Sequence, residues 1–345
     1  MEEEWVGYDG GAVQEWHRNA SHIRVESGVT TIPENAFRDC HDLTVVDLGN
    51  VTIISDHSFQ NCRSLERVNW TSAATVEIGV RAFAFCYRLG EIDLSNDVTK
   101  IGEMAFAYCH ALERVTIPSS AVEIGQYAFG GCKKLAQIEL GEGIQRIGKK
   151  AFYRCGALVS VSIPPSVTDI GREAFNFCSG LVGVELNEGL QHIGEGAFHK
   201  CTSLANISIP ATTLKIGRYA FYGCHQLGHV ELHEGLQMIG NWAFDGCHSL
   251  ERITIPSSVA LIGICAFMHC SSLAEVTLNE GVHCIDPNAF YNCTALEHIN
   301  IPPVALVIDI QGGSCELMRA TMPVNLGTRL IVVISGVLDC LDLGV

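Results

Sequence analysis

Residues 132–155 read CKKLAQIELGEGIQRIGKKAFYRC, from Cys132 to Cys155, and their apolar pattern sets the architecture of the chain. Between Leu135 and Leu140 the apolar Ile138 and Leu140 alternate with Gln137 and Glu139. That is the period of a strand with one buried and one wet face. Gly141 and Gly143 then end the strand and turn the chain. A second apolar pair, Ile144 and Ile147, runs into Gly148, and an Ala-Phe-x-x-Cys segment closes the stretch. This last segment is predicted as one helical or 3₁₀ turn, too short to be stable alone.

The phrase recurs twelve times. Its Phe falls at 37, 59, 83, 106, 129, 152, 175, 198, 221, 244, 267 and 290, each with a Cys three residues on and a Leu three beyond that. After two uneven first steps the spacing is 23 throughout. A period this strict means one structural unit stacked many times. No single copy buries its apolar columns. Stacked, each adds one strand about 4.8 Å from the next, so stability becomes a series of neighbour terms and the two ends need caps. The array is assigned to residues 23–302, because Ile23 and Val25 match the strand positions and the pattern fails after Pro302 and Pro303. Residues 1–22, with Trp5, Tyr8 and Trp16, are expected to form an N-terminal cap, and 303–345 a C-terminal cap or an irregular tail.

The string Leu-x-x-Val/Ile-x-Leu/Ile-Pro followed by Ile-Gly-x-x-Ala-Phe-x-x-Cys, as at Leu158 to Cys178, resembles the BspA-type class of leucine-rich repeats. The resemblance implies an α/β repeat solenoid of about 12–13 coils of 23 residues, right-handed, with a parallel sheet on its concave face. It also implies a binding or adhesion module without catalytic motifs. Bacterial members of the class are often at the cell surface.

The chain has 345 residues, a formal net charge of −16 and 48% hydrophobic residues, which favours a long folded array over disorder. The acidic balance argues against nucleic acid, whose phosphates require clustered Lys and Arg, and favours a basic partner. Met1-Glu2-Glu3-Glu4-Trp5 has neither the basic nor the apolar region of a secretory signal. No apolar run approaches the ~20 residues of a membrane span. An intracellular location is therefore expected, with an extracellular one as the alternative, and the five Asn-x-Ser/Thr sequons are read as chance. Twelve of the sixteen cysteines form one column. They are expected to be reduced and buried, since free Cys behaves as a small hydrophobe.

Alternate copies differ. Pro118, Pro164, Pro210, Pro256 and Pro302 end every second strand, 46 residues apart, and Glu142, Glu188, Glu234 and Glu280, each with a following Gly, mark the copies between. One outward strand position follows the same rhythm, with acids (Asp93, Glu139, Glu185, Glu231) alternating with Thr116, Ser162, Ser208 and Thr254 until Thr277 breaks the pattern. Spacing carboxylates two strands apart limits their repulsion, and duplication of a two-copy unit accounts for the pattern. The other reading is a striped acidic face that receives a basic protein. The neighbouring outward column is small and uncharged around residues 160–206 and is flanked by Arg114 and Arg252. The binding residues expected on this reading are Asp93, Arg114, Glu139, Ser162, Glu185, Ser208, Glu231 and Arg252.

Other constellations carry less. His225, His229 and His233 fall on a turn, a strand and a turn, and so point apart; His225 and His248 are two imidazoles, short of a closed zinc set. In the denser group Cys265, His269, Cys270, His283 and Cys284, one member belongs to the buried column. Calcium needs six to eight oxygens, and one Glu every 46 residues does not supply them. No phosphate loop and no nucleophile–base arrangement stands out. The expectation is a monomeric, non-catalytic protein-interaction scaffold without cofactor or metal. The alternative is a cell-surface adhesion protein that binds host protein or glycan.

Overall fold

The computed structural model describes residues 4–69, 75–94, 98–286, 288–300, 307–308 and 331–332. The chain falls into two compact units, residues 1–184 and 185–345. Each unit is a stack of coils in which every coil contributes two parallel strands.

In the first unit one set of strands includes Val45–Asp47, Arg67–Asn69, Arg114–Ile117 and Gln137–Leu140. The other set is shorter: Thr31–Ile32, Ile53–Ile54, Glu123–Ile124, Arg146–Ile147 and Asp169–Ile170 among them. In the second unit the longer strands include Asn206–Ile209, His229–Leu232, Arg252–Ile255 and Glu275–Leu278, and the short ones include Lys215–Ile216, Met238–Ile239 and Leu261–Ile262. The register repeats the sequence period: Val115 lies opposite Ile138 and Ile207 opposite Val230. The two uneven first steps appear as a 22-residue pairing of Thr31 with Ile53 and a 24-residue pairing of Ile53 with Glu77.

Stacking in register lays each column on itself. The Phe rings stand face to face, with Phe59–Phe83 at 5.2 Å and 1° in the first unit and Phe244–Phe267 at 5.1 Å and 4° in the second. Tyr8 meets Phe37 edge-on at 4.9 Å, and its strand Trp5–Tyr8 pairs with His22–Val25. The Cys column is buried, and beyond its first member thiols donate to the Phe carbonyl of the preceding coil, as in Cys155 Sγ to Phe129 O at 3.2 Å and Cys247 Sγ to Phe221 O at 3.4 Å. Burial pushes the Cys132 thiol up to about 12, so the ladder is chemically quiet. The glycine of each Ile-Gly step lies against backbone. A methyl group on Gly171 would approach Ile147 O to 2.6 Å and Gly148 C to 2.8 Å.

The Ala-Phe-x-x-Cys segment differs from the helical turn expected from sequence. Two residues in each coil, such as Lys150 at φ 58° and Arg154 at φ 60°, are left-handed, and glycine occupies the equivalent place at 131, 196, 223 and 246. The alternation turns three N–H groups toward the next coil: Lys150 N to Arg172 O, Phe152 N to Ala174 O and Arg154 N to Asn176 O, at 2.8–2.9 Å. A left-handed L-residue costs about 1–2 kcal/mol; bonding between coils offsets it where a helix would bond within itself. Among the described residues the one helix is Glu15–Arg18, so the α part of the α/β expectation gives way to turns and short strands. The expectation for residues 303–345 lies almost wholly outside the described residues.

Candidate functional site: the exposed strand face

Inward strand positions hold Val or Ile in coil after coil, from Val46 through Val115 and Ile138 to Val161, all buried. Outward positions carry acids, bases, hydroxyls and amides. All eight residues expected from sequence are exposed on this face or at its edge. Asp93, Arg114, Glu139 and Ser162 belong to the first unit; Glu185, Ser208, Glu231 and Arg252 belong to the second.

In the first unit Thr116 lies opposite Glu139, and its Oγ1 donates to Glu139 Oε2 at 3.2 Å. Arg114 stands on the same strand as Thr116, opposite Gln137. Arg24 and Asp47 form a further cross-strand pair at 3.4 Å. Val159 and Val182 are exposed on adjacent coils (51% and 49%) and are joined by Val182 N to Val159 O at 2.8 Å. Beside the uncharged Ser160 and Gly183 they make a small apolar window that the sequence reading missed; the column just before the strand would have shown it.

The second unit repeats the arrangement. Ser208 lies opposite Glu231 and donates to its Oε2 at 2.9 Å, while His233 Nε2 stands 3.5 Å from Oε1. The rhythm of acids and hydroxyls therefore has a contact behind it: a hydroxyl on one coil bonds the carboxylate of the next.

The 46-residue alternation has a second contact. Glu234 accepts from Ser257 N and Ser258 N, both at 3.0 Å, capping the turn after Pro256; Glu188 does the same for Ala211 N and Thr212 N at 3.3 Å. In return Ser258 Oγ accepts from Gly235 N at 3.0 Å and donates to Leu236 O at 2.8 Å. Gly235 takes φ +114°, which favours glycine. A Glu-Gly turn and the following Pro turn are thus complementary parts. The Ser257 N–H, above all, holds the Glu234 carboxyl below the usual glutamate range.

The histidines and extra cysteines make hydrogen bonds to backbone carbonyls and to neighbouring carboxylates. His225 and His248 stack at 4.8 Å and 5°, each with Nδ1 donating to a carbonyl of the next coil, Gly246 O and His269 O. His269 Nδ1 donates to the buried Asp245 at 3.0 Å, Cys270 Sγ bonds Phe244 O at 3.2 Å, and Cys284 Sγ bonds Asp286 at 3.4 Å. Among the described residues no three His, Cys, Asp or Glu side chains form a group able to hold a metal. No helix among them is long and apolar enough to cross a membrane.

A model of BspA type leucine rich repeat regions matches residues 15–123, 99–213 and 191–311. A leucine-rich repeat protein from Bacteroides ovatus is similar in structure, with 28% identity and a TM-score of 0.61, over 82% of this chain and 79% of that one. A leucine rich cell surface protein from Faecalibacterium prausnitzii is similar at 28% identity and a TM-score of 0.50, over 82% of this chain and 88% of that one. No curated protein matches.

Proposed function

This chain belongs to the BspA-type leucine-rich-repeat family, and from that premise we propose that it is a non-catalytic recognition module displayed at a cell surface. Proteins built on this repeat generally mediate protein interaction or adhesion. The intracellular location expected from the first residues finds no support in the relatives; the Faecalibacterium protein is described as a cell surface protein, which favours the adhesive alternative. The contact surface is the exposed strand face, on Asp93, Arg114, Glu139 and Ser162 in the first unit and on Glu185, Ser208, Glu231 and Arg252 in the second. A basic protein surface suits its carboxylates.

One observation carries this reading. Within a single chain the inward strand column stays Val or Ile while the outward columns change residue class from coil to coil. Packing explains the first; the bonds of Thr116 with Glu139 and of Ser208 with Glu231 explain the rhythm of one outward column, but not the mixture of Arg114, Gln137, Ser160 and Asn206 in the other. The backbone beneath is bonded on both sides, so little ordering entropy is lost on docking.

Two measurements test it. Labelling intact source cells with a membrane-impermeant reagent should tag the protein; recovery of tagged protein only after lysis would reject the surface location. Binding of the purified chain to immobilised extracellular proteins and glycans should weaken in a Glu139→Gln/Glu185→Gln/Glu231→Gln variant with an unchanged folded spectrum. Equal binding by the two would move the contact off the strand face.

A further inference from the structure

The turn side of the coils between residues 80 and 180 has a different chemistry from the strand side. The five turn segments 80–88, 103–111, 126–134, 149–157 and 172–180 hold eight of the chain's 22 Lys and Arg and two acids, Glu103 and Glu173, in a chain whose formal charge is −16. Five half-exposed rings cross these segments as one strip. Phe85–Tyr108, Tyr108–Tyr127, Tyr127–Tyr153 and Tyr153–Phe177 have centroids 5.1, 5.9, 5.6 and 6.1 Å apart.

Gly130 and Gly131 make room for two of the rings. A methyl group on Gly131 would approach Tyr108 Cδ1 to 2.7 Å. Tyr108 and Tyr127 join their hydroxyls across that gap at 3.1 Å. The Arg154 guanidinium lies 5.2 Å from the Tyr153 centroid and 5.4 Å from that of Phe177. Lys150 pairs with Glu173 at 3.3 Å. Lys133, Lys134, Lys149 and Arg154 are exposed on two adjacent coils, and among the described residues no carboxylate lies within ion-pair distance of them. Four unneutralised cations on the same turn segments as the tyrosines, in an acidic protein, are a local arrangement that net charge hides.

We propose that this strip is a second binding site, for a linear sulfated polysaccharide. Three compact ammonium groups and one guanidinium match anionic groups with several acceptor oxygens, and the tyrosine hydroxyls offer hydrogen bonds to a ligand rich in hydroxyls. An acidic peptide fits less well. The backbone N–H groups here are engaged by the next coil, as in Tyr127 N to Lys149 O and Gly131 N to Tyr153 O, so none is left for strand addition. Single-stranded nucleic acid also fits less well, because it stacks bases on open aromatic faces. Here Lys150 and Arg154 cover Tyr153, and Tyr108 stacks on Phe85. The site lies on other residues than the strand-face contact, so either stands if the other fails.

Heparin binding by the full chain, measured by calorimetry at two salt concentrations, is the test. Wild type should bind, with an affinity that falls steeply as salt rises. Lys133→Gln/Lys134→Gln/Lys149→Gln/Arg154→Gln should bind at least tenfold more weakly with the same folded spectrum. Lys134→Glu/Lys149→Glu is the smaller second variant, on two exposed side chains, and should show the same loss. Glu139→Gln/Glu231→Gln should bind heparin as wild type does. No binding by wild type, or equal binding by both cation variants, overturns the proposal. Equal affinity for hyaluronan, which carries no sulfate, for poly-glutamate or for poly-uridylate overturns the assignment of the ligand class.

Discussion

The strand side and the turn side of one coil make an instructive pair. Between Gln137 and Leu140 the backbone is extended, the outward groups are the Gln137 amide and the Glu139 carboxylate, and Glu139 takes a hydrogen bond from the Thr116 hydroxyl of the neighbouring coil. Between Lys149 and Cys155 the backbone alternates right- and left-handed, and the outward groups are cations and rings. Both sides hang on the same inter-coil ladder and the same buried columns. The unit of reading in a stack is therefore the column. A mean charge describes neither face, which is why the acidic composition pointed only to basic partners.

The largest effect belongs where the short strand hands over to the turn side. Gly171→Ala places a methyl group 2.6 Å from Ile147 O, 2.8 Å from Gly148 C and 2.9 Å from Lys149 N, all backbone that cannot swing aside. A loss of about 4 kcal/mol or more is expected by chemical denaturation. A loss under about 1 kcal/mol would mean that the coils can spread. Leu181→Ala, in the buried column shared by both sides, should cost about 2–5 kcal/mol; an unchanged midpoint would place Leu181 outside the core.

Ser58 tests the turn side in the opposite direction. It replaces the usual Ala before Phe, is fully buried, and its Oγ has no partner. Ser58→Ala should therefore stabilise the protein by about 1–2 kcal/mol, read as a higher melting midpoint; destabilisation would reveal an unseen bond. On the strand side Thr116→Val removes the hydroxyl bonded to Glu139 and should cost only about 0.2–1 kcal/mol.

The smallest effect is a pH slope. Hydrogen bonds from Ser257 and Ser258 lower the folded-state pKa of Glu234, so the folded state binds this proton less tightly than the unfolded one. The resulting stability is present above the unfolded pKa and fades as pH falls through the lower folded value. Glu234→Gln should flatten the melting profile below about pH 5, and identical profiles would show that the cap contributes nothing.

Much was legible in the sequence. Phe152, Cys155 and Leu158 declared buried columns by recurrence, and Ile138 against Glu139 declared the inward and outward strand faces. The eight strand-face residues lie where alternation placed them. Their partners were harder to see: Thr116 with Glu139, or Glu234 with Ser257, pair at a separation of 23, where no local pattern looks. The turn conformation was misread for a different reason. Lys150, Arg154 and Phe177 have no intrinsic preference for the left-handed region, and a short Ala-Phe run resembles helix.

By itself the sequence determined the period, the parallel stacking and the side on which each strand residue lies, because a strict repeat leaves one register in which every apolar column is buried. Tertiary structure alone set the left-handed turns, the pairing of Glu-Gly with Pro turns, and the placing of Arg154 against Tyr153 and Phe177 in one aromatic strip. These depend on bonds and contacts made between coils, and such neighbours exist only once the stack has formed.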